Sequence, residues 1–121
     1  MPNKKTLVLG ASDNPSRYSY LAINALQSKG HDVAAIGKRP GTVAKVKIET
    51  TAKDIDNVDT VTLYLNPSHQ KQYYNYIFSL HPKRIIFNPG AENKELFTMA
   101  QERGILPKEA CTLVLLSMGQ Y

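Results

Sequence analysis

The chain has 121 residues, 42% hydrophobic and 21% charged, with one Cys, no Trp and a net charge of +5 from fifteen Lys and Arg against ten Asp and Glu. Such a length and balance belong to one globular domain, here residues 1–121, and exclude a disordered chain. A single Cys excludes a disulfide framework or a cysteine-rich zinc site, and the short apolar-leaning run before Gly10 is too brief for a signal peptide or a membrane span, so the expected setting is cytoplasmic.

In chain order, Thr6–Gly10 reads as a buried strand ended by Gly. Tyr18 to Lys29 reads as a helix, with Leu21/Ala25 and Ala22/Leu26 at i,i+4 and Gly30 as its stop. Asp32–Ile36 is a second strand, ended by Gly37, and a polar, basic stretch follows to about Asp59 with a short extended piece near Val43–Ile48. Thr60–Leu65 is a third strand stopped by Asn66-Pro67, and Ser68 to Leu80 a helix presenting Tyr73, Ile77 and Leu80 on one face. Lys83–Phe87 is a fourth strand stopped by Asn88-Pro89-Gly90, Glu92 to Arg103 a helix, and Ile105-Leu106 the start of a fifth strand. Thr112 to Met118 is taken as a helix capped by Thr112, with a strand as the alternative. Alternating strands and helices with short joints predict an α/β fold, a doubly wound three-layer sandwich around five parallel strands in the order 3-2-1-4-5.

In such a sheet ligands bind beyond the carboxyl ends of the strands, where the strand order reverses. Attention therefore falls on Gly10–Ser19, Gly37–Gly41, Asn66–His69 and Asn88–Glu92, all rich in Gly, Pro, Asn or Ser. Of a Gly-x-Gly-x-x-Gly fingerprint only Gly10 is present, Ser12 and Pro15 standing in the other two places. The turn remains open to an anion at the amides of Ala11 and Ser12, and Arg17 is placed to clamp a phosphate; the alternative is an ordinary well-capped turn. After the second strand, NAD-binding folds carry an acid for the ribose hydroxyls, whereas this chain has Gly37-Lys38-Arg39-Pro40-Gly41. Two cations there disfavour NAD and favour a phosphorylated ribose, as in NADP or coenzyme A, with a solvated basic turn as the plain alternative.

Six Lys or Arg and two acids lie between Lys29 and Lys53, a focused surplus that suits one anionic ligand better than a nucleic-acid backbone. The chain has no room for a substrate domain to complete hydride transfer. His31, His69 and His81 lack metal-ligand spacing, only His69 falling on the predicted ligand edge. Asp54, Asp56 and Asp59 read as a solvated turn, Tyr73, Tyr74 and Tyr76 as partly core rather than a base-stacking platform, and Cys111 as packing, with a mixed disulfide to a thiol ligand as the sharper idea.

Val8-Leu-Gly10-Ala11-Ser12 with Pro15, Arg17 and Ser19 resembles the opening of small CoA-binding Rossmann-like proteins, which are similar to the CoA-binding domain of the succinyl-CoA synthetase α-subunit. The resemblance continues through Gly30-His31-Asp32-Val33, Val58-Asp59-Thr60-Val61 and Asn88-Pro89-Gly90 to Glu109–Leu113. It implies that Gly10, Ala11, Ser12 and Arg17, with Asn14, Pro15 and Ser19 of the same loop, lie near a diphosphate. It further implies that Lys38, beside Gly37 and Arg39, meets a 3′-phosphate, and that Asn66, Pro67 and Ser68 line the adenine side; the loop Asn88, Pro89, Gly90 completes the candidate set. Many family members carry Asn-Pro after the second strand, where Gly37-Lys38-Arg39-Pro40 stands here. The synthetase's ligase portions and phosphohistidine region have no counterpart. The expectation is a binder of coenzyme A or an acyl-CoA without catalysis of its own, with no metal, acting alone, as a homodimer or beside a partner enzyme chain. The alternatives are an NADP-binding or acyl-transfer subunit of a larger enzyme, and a basic nucleic-acid or protein-interaction module.

Overall fold

In the computed structural model, which describes residues 2–121, the aliphatic runs form the centre of a seven-stranded sheet. Strand β1 (Thr6–Leu9) lies between β2 (Val33–Ile36) and β5 (Thr60–Leu63), parallel to both. On the β5 side follow β6 (Arg84–Phe87) and β7 (Leu106–Glu109), also parallel. Every residue of β1, β5 and β6 is buried, because a parallel strand is covered on both faces and needs apolar or internally bonded side chains on each. Beyond β2 sit β4 (Val46–Glu49), parallel, and β3 (Gly41–Val43), antiparallel to β4.

Helices α1 (Tyr18–Ser28) and α5 (Thr112–Ser117) cover one face, where Ile23, Leu26, Leu115 and Leu116 pack with Val8, Ala35, Ile48 and Ile86. The other face carries α3 (Tyr74–Ser79) and α4 (Lys94–Glu102), whose Ile77, Phe78, Leu96 and Ala100 pack with Leu7, Leu9, Val61, Leu63, Ile85 and Phe87. The doubly wound α/β architecture anticipated from the sequence is thus present. Among the described residues no helix is long and apolar enough to cross a membrane.

The sheet departs from expectation in strand number and order. It has seven strands rather than five, and Thr60–Leu63 pairs with β1 rather than lying outside β2, so the five anticipated strands run 2-1-3-4-5. The position outside β2 is filled by the hairpin β3–β4, whose buried Val43, Val46 and Ile48 alternate with exposed Thr42 and Lys47. That two-residue hairpin turns through Ala44 (φ +48°) and Lys45 (φ +69°), a geometry for which Asn-Gly is the favoured pair. Replacing Ala44-Lys45 by Asn-Gly is expected to raise stability by about 1 kcal/mol, since a left-handed non-glycine residue costs on the order of 1–2 kcal/mol; a chemical-denaturation midpoint that does not rise would show the turn to be unstrained.

The helix expected over Ser68–Leu80 is broken into α2 (Pro67–Gln70), a 3₁₀ turn (Lys71–Tyr73) and α3. The break follows Gln70, whose buried amide donates to the carbonyls of Leu65 (2.8 Å) and Ala91 (2.7 Å) and fastens the first turn to the sheet edge. Residues Thr112–Ser117 are helical, but Cys111 occupies the N-cap; the Thr112 hydroxyl instead pairs with that of Thr62 inside the protein at 2.8 Å. Leu21 is 43% exposed, the buried face of α1 being Ser19, Ala22, Ile23 and Leu26.

Candidate functional site

Strands β1 and β5 are neighbours, yet the chain winds away from them in opposite directions, so the loops at their carboxyl ends part and leave a crevice. A cleft of about 590 Å³ lies there. The loop after β1 and the start of α1 contribute Gly10, Ala11, Ser12, Asn14, Arg17 and Ser19; Lys38 and Arg39 come from the segment after β2, Asn66 from that after β5, and Pro89 and Gly90 from that after β6.

The first loop is shaped from within. Gly10 has φ +96°, and a Cβ there would lie 2.9 Å from the carbonyl carbon and oxygen of Tyr64, so both conformation and close approach require glycine. The amides of Gly10 and Ala11 both donate to the Ile36 carbonyl at 2.9 Å. The Ala11 amide, expected to face an anion, is therefore already engaged. The Asn14 side chain accepts from the Ser16 amide (3.0 Å) and hydroxyl (2.8 Å), while the Asn14 amide donates to Ser12 Oγ (3.1 Å), winding the chain into α1. Arg17 is the N-cap of α1 but supplies no side-chain cap, and the first turn holds no acid. The leading amides of a helix have no intrahelical acceptor and carry partial positive charge, so an 11-residue helix presents an uncompensated positive end to the cleft.

Three exposed cations, Arg17, Lys38 and Arg39, join that helix end in the cleft. Among the described residues the ion pair formed is Lys53 with Glu49 at 3.2 Å, and none of the three cleft cations belongs to it.

The other sequence-derived candidates lie elsewhere. Pro15 is exposed and is not among the residues that line the cleft. Gly37 is buried beneath it, where an added Cβ would come within 2.2 Å of the Ala11 carbonyl oxygen. Pro67 and Ser68 form the first turn of α2, Ser68 Oγ donating to Asn66 Oδ1 (2.7 Å), which also accepts from the His69 amide (3.1 Å). Asn88 is only 2% exposed and belongs to the frame below the cleft: its Nδ2 donates to Thr62 Oγ1 (2.6 Å) and the Leu63 carbonyl (2.9 Å), and its Oδ1 accepts from the Thr112 amide (2.9 Å).

Five lining residues, Asp13, Tyr18, Tyr64, Leu65 and Ala91, were not among the candidates. Asp13, Tyr18 and Ala91 lie inside segments already singled out, whereas Tyr64 and Leu65 lead into the one that starts at Asn66. Burial pushes the Tyr64 phenol well above its usual range, keeping it protonated. His31 packs against Tyr121 with ring centroids 5.0 Å apart and the rings tilted by 58°, its Nδ1 accepting from the Lys4 amide at 2.9 Å, and burial lowers its pKa. No group of three or more His, Cys, Asp or Glu among the described residues is arranged to hold a metal.

A family model described as a CoA binding domain matches residues 4–117 of the chain. A solved structure of an uncharacterized protein superposes with a TM-score of 0.97 at 50% identity, over 100% of both chains. A hypothetical protein from Pyrococcus horikoshii OT3 gives a TM-score of 0.85 at 24% identity, over 96% of this chain and 83% of that one. The uncharacterized protein YneT of Bacillus subtilis (strain 168) is 23% identical over 103 residues, 84% of this chain and 76% of that protein.

Proposed function

The chain belongs to the CoA binding domain family, and from that premise we propose that it binds coenzyme A or an acyl-CoA in the cleft described above, without catalysing a reaction of its own. The observation that carries this reading is the convergence, at one sheet edge, of the acid-free start of α1 with Arg17, Lys38 and Arg39, none of them neutralised by an ion pair. In this reading the diphosphate sits against the α1 amides and Arg17, the 3′-phosphate meets Lys38 and Arg39, and Asn66 borders the adenine. The pantetheine passes over Pro89 and Gly90. Gly10 and Gly37 fit the reading as the positions that let the first loop lie flat on the sheet edge. The setting proposed is cytoplasmic.

Thermal denaturation with CoA, 3′-dephospho-CoA, NADP and a short RNA tests it. A ligand at 100 times its dissociation constant adds about 2.7 kcal/mol of stability, a shift of several degrees for a domain of this size. CoA is expected to give that shift and dephospho-CoA a smaller one. Replacing Lys38 and Arg39 together by Ala is expected to weaken CoA by about tenfold or more, from hydrogen bonds to charged groups worth roughly 1.5–3 kcal/mol, and to leave dephospho-CoA nearly unaffected. Equal stabilisation by CoA and dephospho-CoA would remove the role given to the two cations, and stabilisation by NADP alone would overturn the CoA reading.

A further inference from the structure

Among the described residues Asp13 is the single acid lining the cleft, whose other charged side chains are Arg17, Lys38 and Arg39. The chain has no acid in the segment after β2, where dinucleotide-binding folds use one to bond a ribose hydroxyl. The fold restores one from another loop. A Cβ built on Gly41 would lie 2.6 Å from Asp13 Oδ2 and 3.0 Å from its Cγ, so the Asp13 carboxylate rests against the far end of the Lys38–Gly41 segment, with glycine leaving it the space. Although it shares the cleft with three cations, among the described residues it forms no ion pair and takes part in no side-chain hydrogen bond.

A carboxylate in an anion-binding cleft opposes any phosphate placed next to it and favours a hydrogen-bond donor, which on a phosphorylated ribose is a neutral hydroxyl. On a nucleotide held with its phosphorylated ribose beside Lys38 and Arg39, such a donor is the hydroxyl left unphosphorylated. We propose that Asp13 is a specificity-determining residue: its carboxylate accepts a hydrogen bond from a free ribose 2′-hydroxyl, so that the cleft takes 3′-phosphorylated nucleotides and rejects their 2′-phosphorylated isomers. The proposal rests on the CoA reading and goes beyond it by naming what separates CoA from NADP.

Adenosine 3′,5′-bisphosphate and adenosine 2′,5′-bisphosphate provide the test, since they are isomers of equal charge, and calorimetric titration gives both affinities, with CoA titrated alongside. The wild-type protein is expected to prefer the 3′,5′ isomer by about tenfold or more, the like-charge juxtaposition raised by the other isomer costing at least 1.4 kcal/mol. Asp13→Asn is expected to bring the ratio to within about threefold, mainly by tighter binding of the 2′,5′ isomer, since the negative charge is what rejects it. Gly41→Ala should collapse the ratio in the same way with Asp13 still present, because its methyl group occupies the place of the carboxylate. Asp13 is exposed, and a thermal melt of each variant verifies folding. An unaltered ratio in Asp13→Asn, or equal wild-type affinities for the isomers beside measurable CoA binding, overturns the proposal alone. If CoA and both isomers fail to bind the wild type, the CoA reading falls and the proposal with it.

Discussion

Gly37→Ala is expected to cost about 3 kcal/mol of folding stability, the upper end of the usual range for overpacking, and to lower the melting temperature by roughly 10 °C for a domain of this size. The added methyl would stand 2.2 Å from the Ala11 carbonyl oxygen and 3.1 Å from its carbon. Both are backbone atoms, so no side chain can swing aside. Nor can the first loop lift freely, because the amides of Gly10 and Ala11 are fastened to Ile36, immediately before Gly37. On the proposed function, the same distortion should also reduce the thermal shift produced by CoA. A variant melting within about 2 °C of the wild type would mean that the loop and the end of β2 separate at little cost.

Asn88→Leu is expected to cost a similar amount, about 3 kcal/mol, although the new side chain is apolar and close in size. Asn88 joins three elements: its amide nitrogen donates to Thr62 and Leu63 of β5, and its oxygen accepts from the Thr112 amide at the start of α5. Leucine would leave the Thr112 amide without that acceptor, and each buried polar group stripped of its partner costs roughly 1–3 kcal/mol. Urea unfolding should show a lower midpoint at an unchanged slope, the signature of lost stability without a changed denatured state. A midpoint equal to that of the wild type would show that water or a neighbour replaces the amide without penalty.

Local signals carried most of the architecture. Apolar runs ended by Gly or Asn-Pro identify β1, β2, β5 and β6, and helical spacing followed by Gly30 and Gly104 identifies α1 and α4. The hairpin β3–β4 was visible only as an extended piece, because its turn uses Ala44 and Lys45 rather than the glycine or asparagine that marks such turns. The strand order departs from expectation for a different reason. Which side of β1 receives Thr60–Leu63 depends on the hairpin already filling the edge of β2, and no property of the 60–63 segment reports that. In the cleft, loop composition pointed to Arg17, Lys38 and Arg39, since positive charge at a strand end is a local fact. It could not reveal that Asp13 meets Gly41, or that Asn88 turns inward to Thr62 and Thr112. Those are contacts between distant segments, and they exist only once the sheet has formed.

Gln70 joins the rims after β5 and β6 through the carbonyls of Leu65 and Ala91, and its own oxygen accepts from Asn93 Nδ2 at 2.9 Å. The two rims are thereby spliced into one plate before any ligand arrives. On the proposed function, association then forfeits little loop freedom on that side, and ordering costs of this kind commonly consume much of the gross interaction energy. The consequence is kinetic as well as thermodynamic: with Gln70 already holding these two rims to each other, differences in affinity among related ligands are expected to lie in how fast they leave.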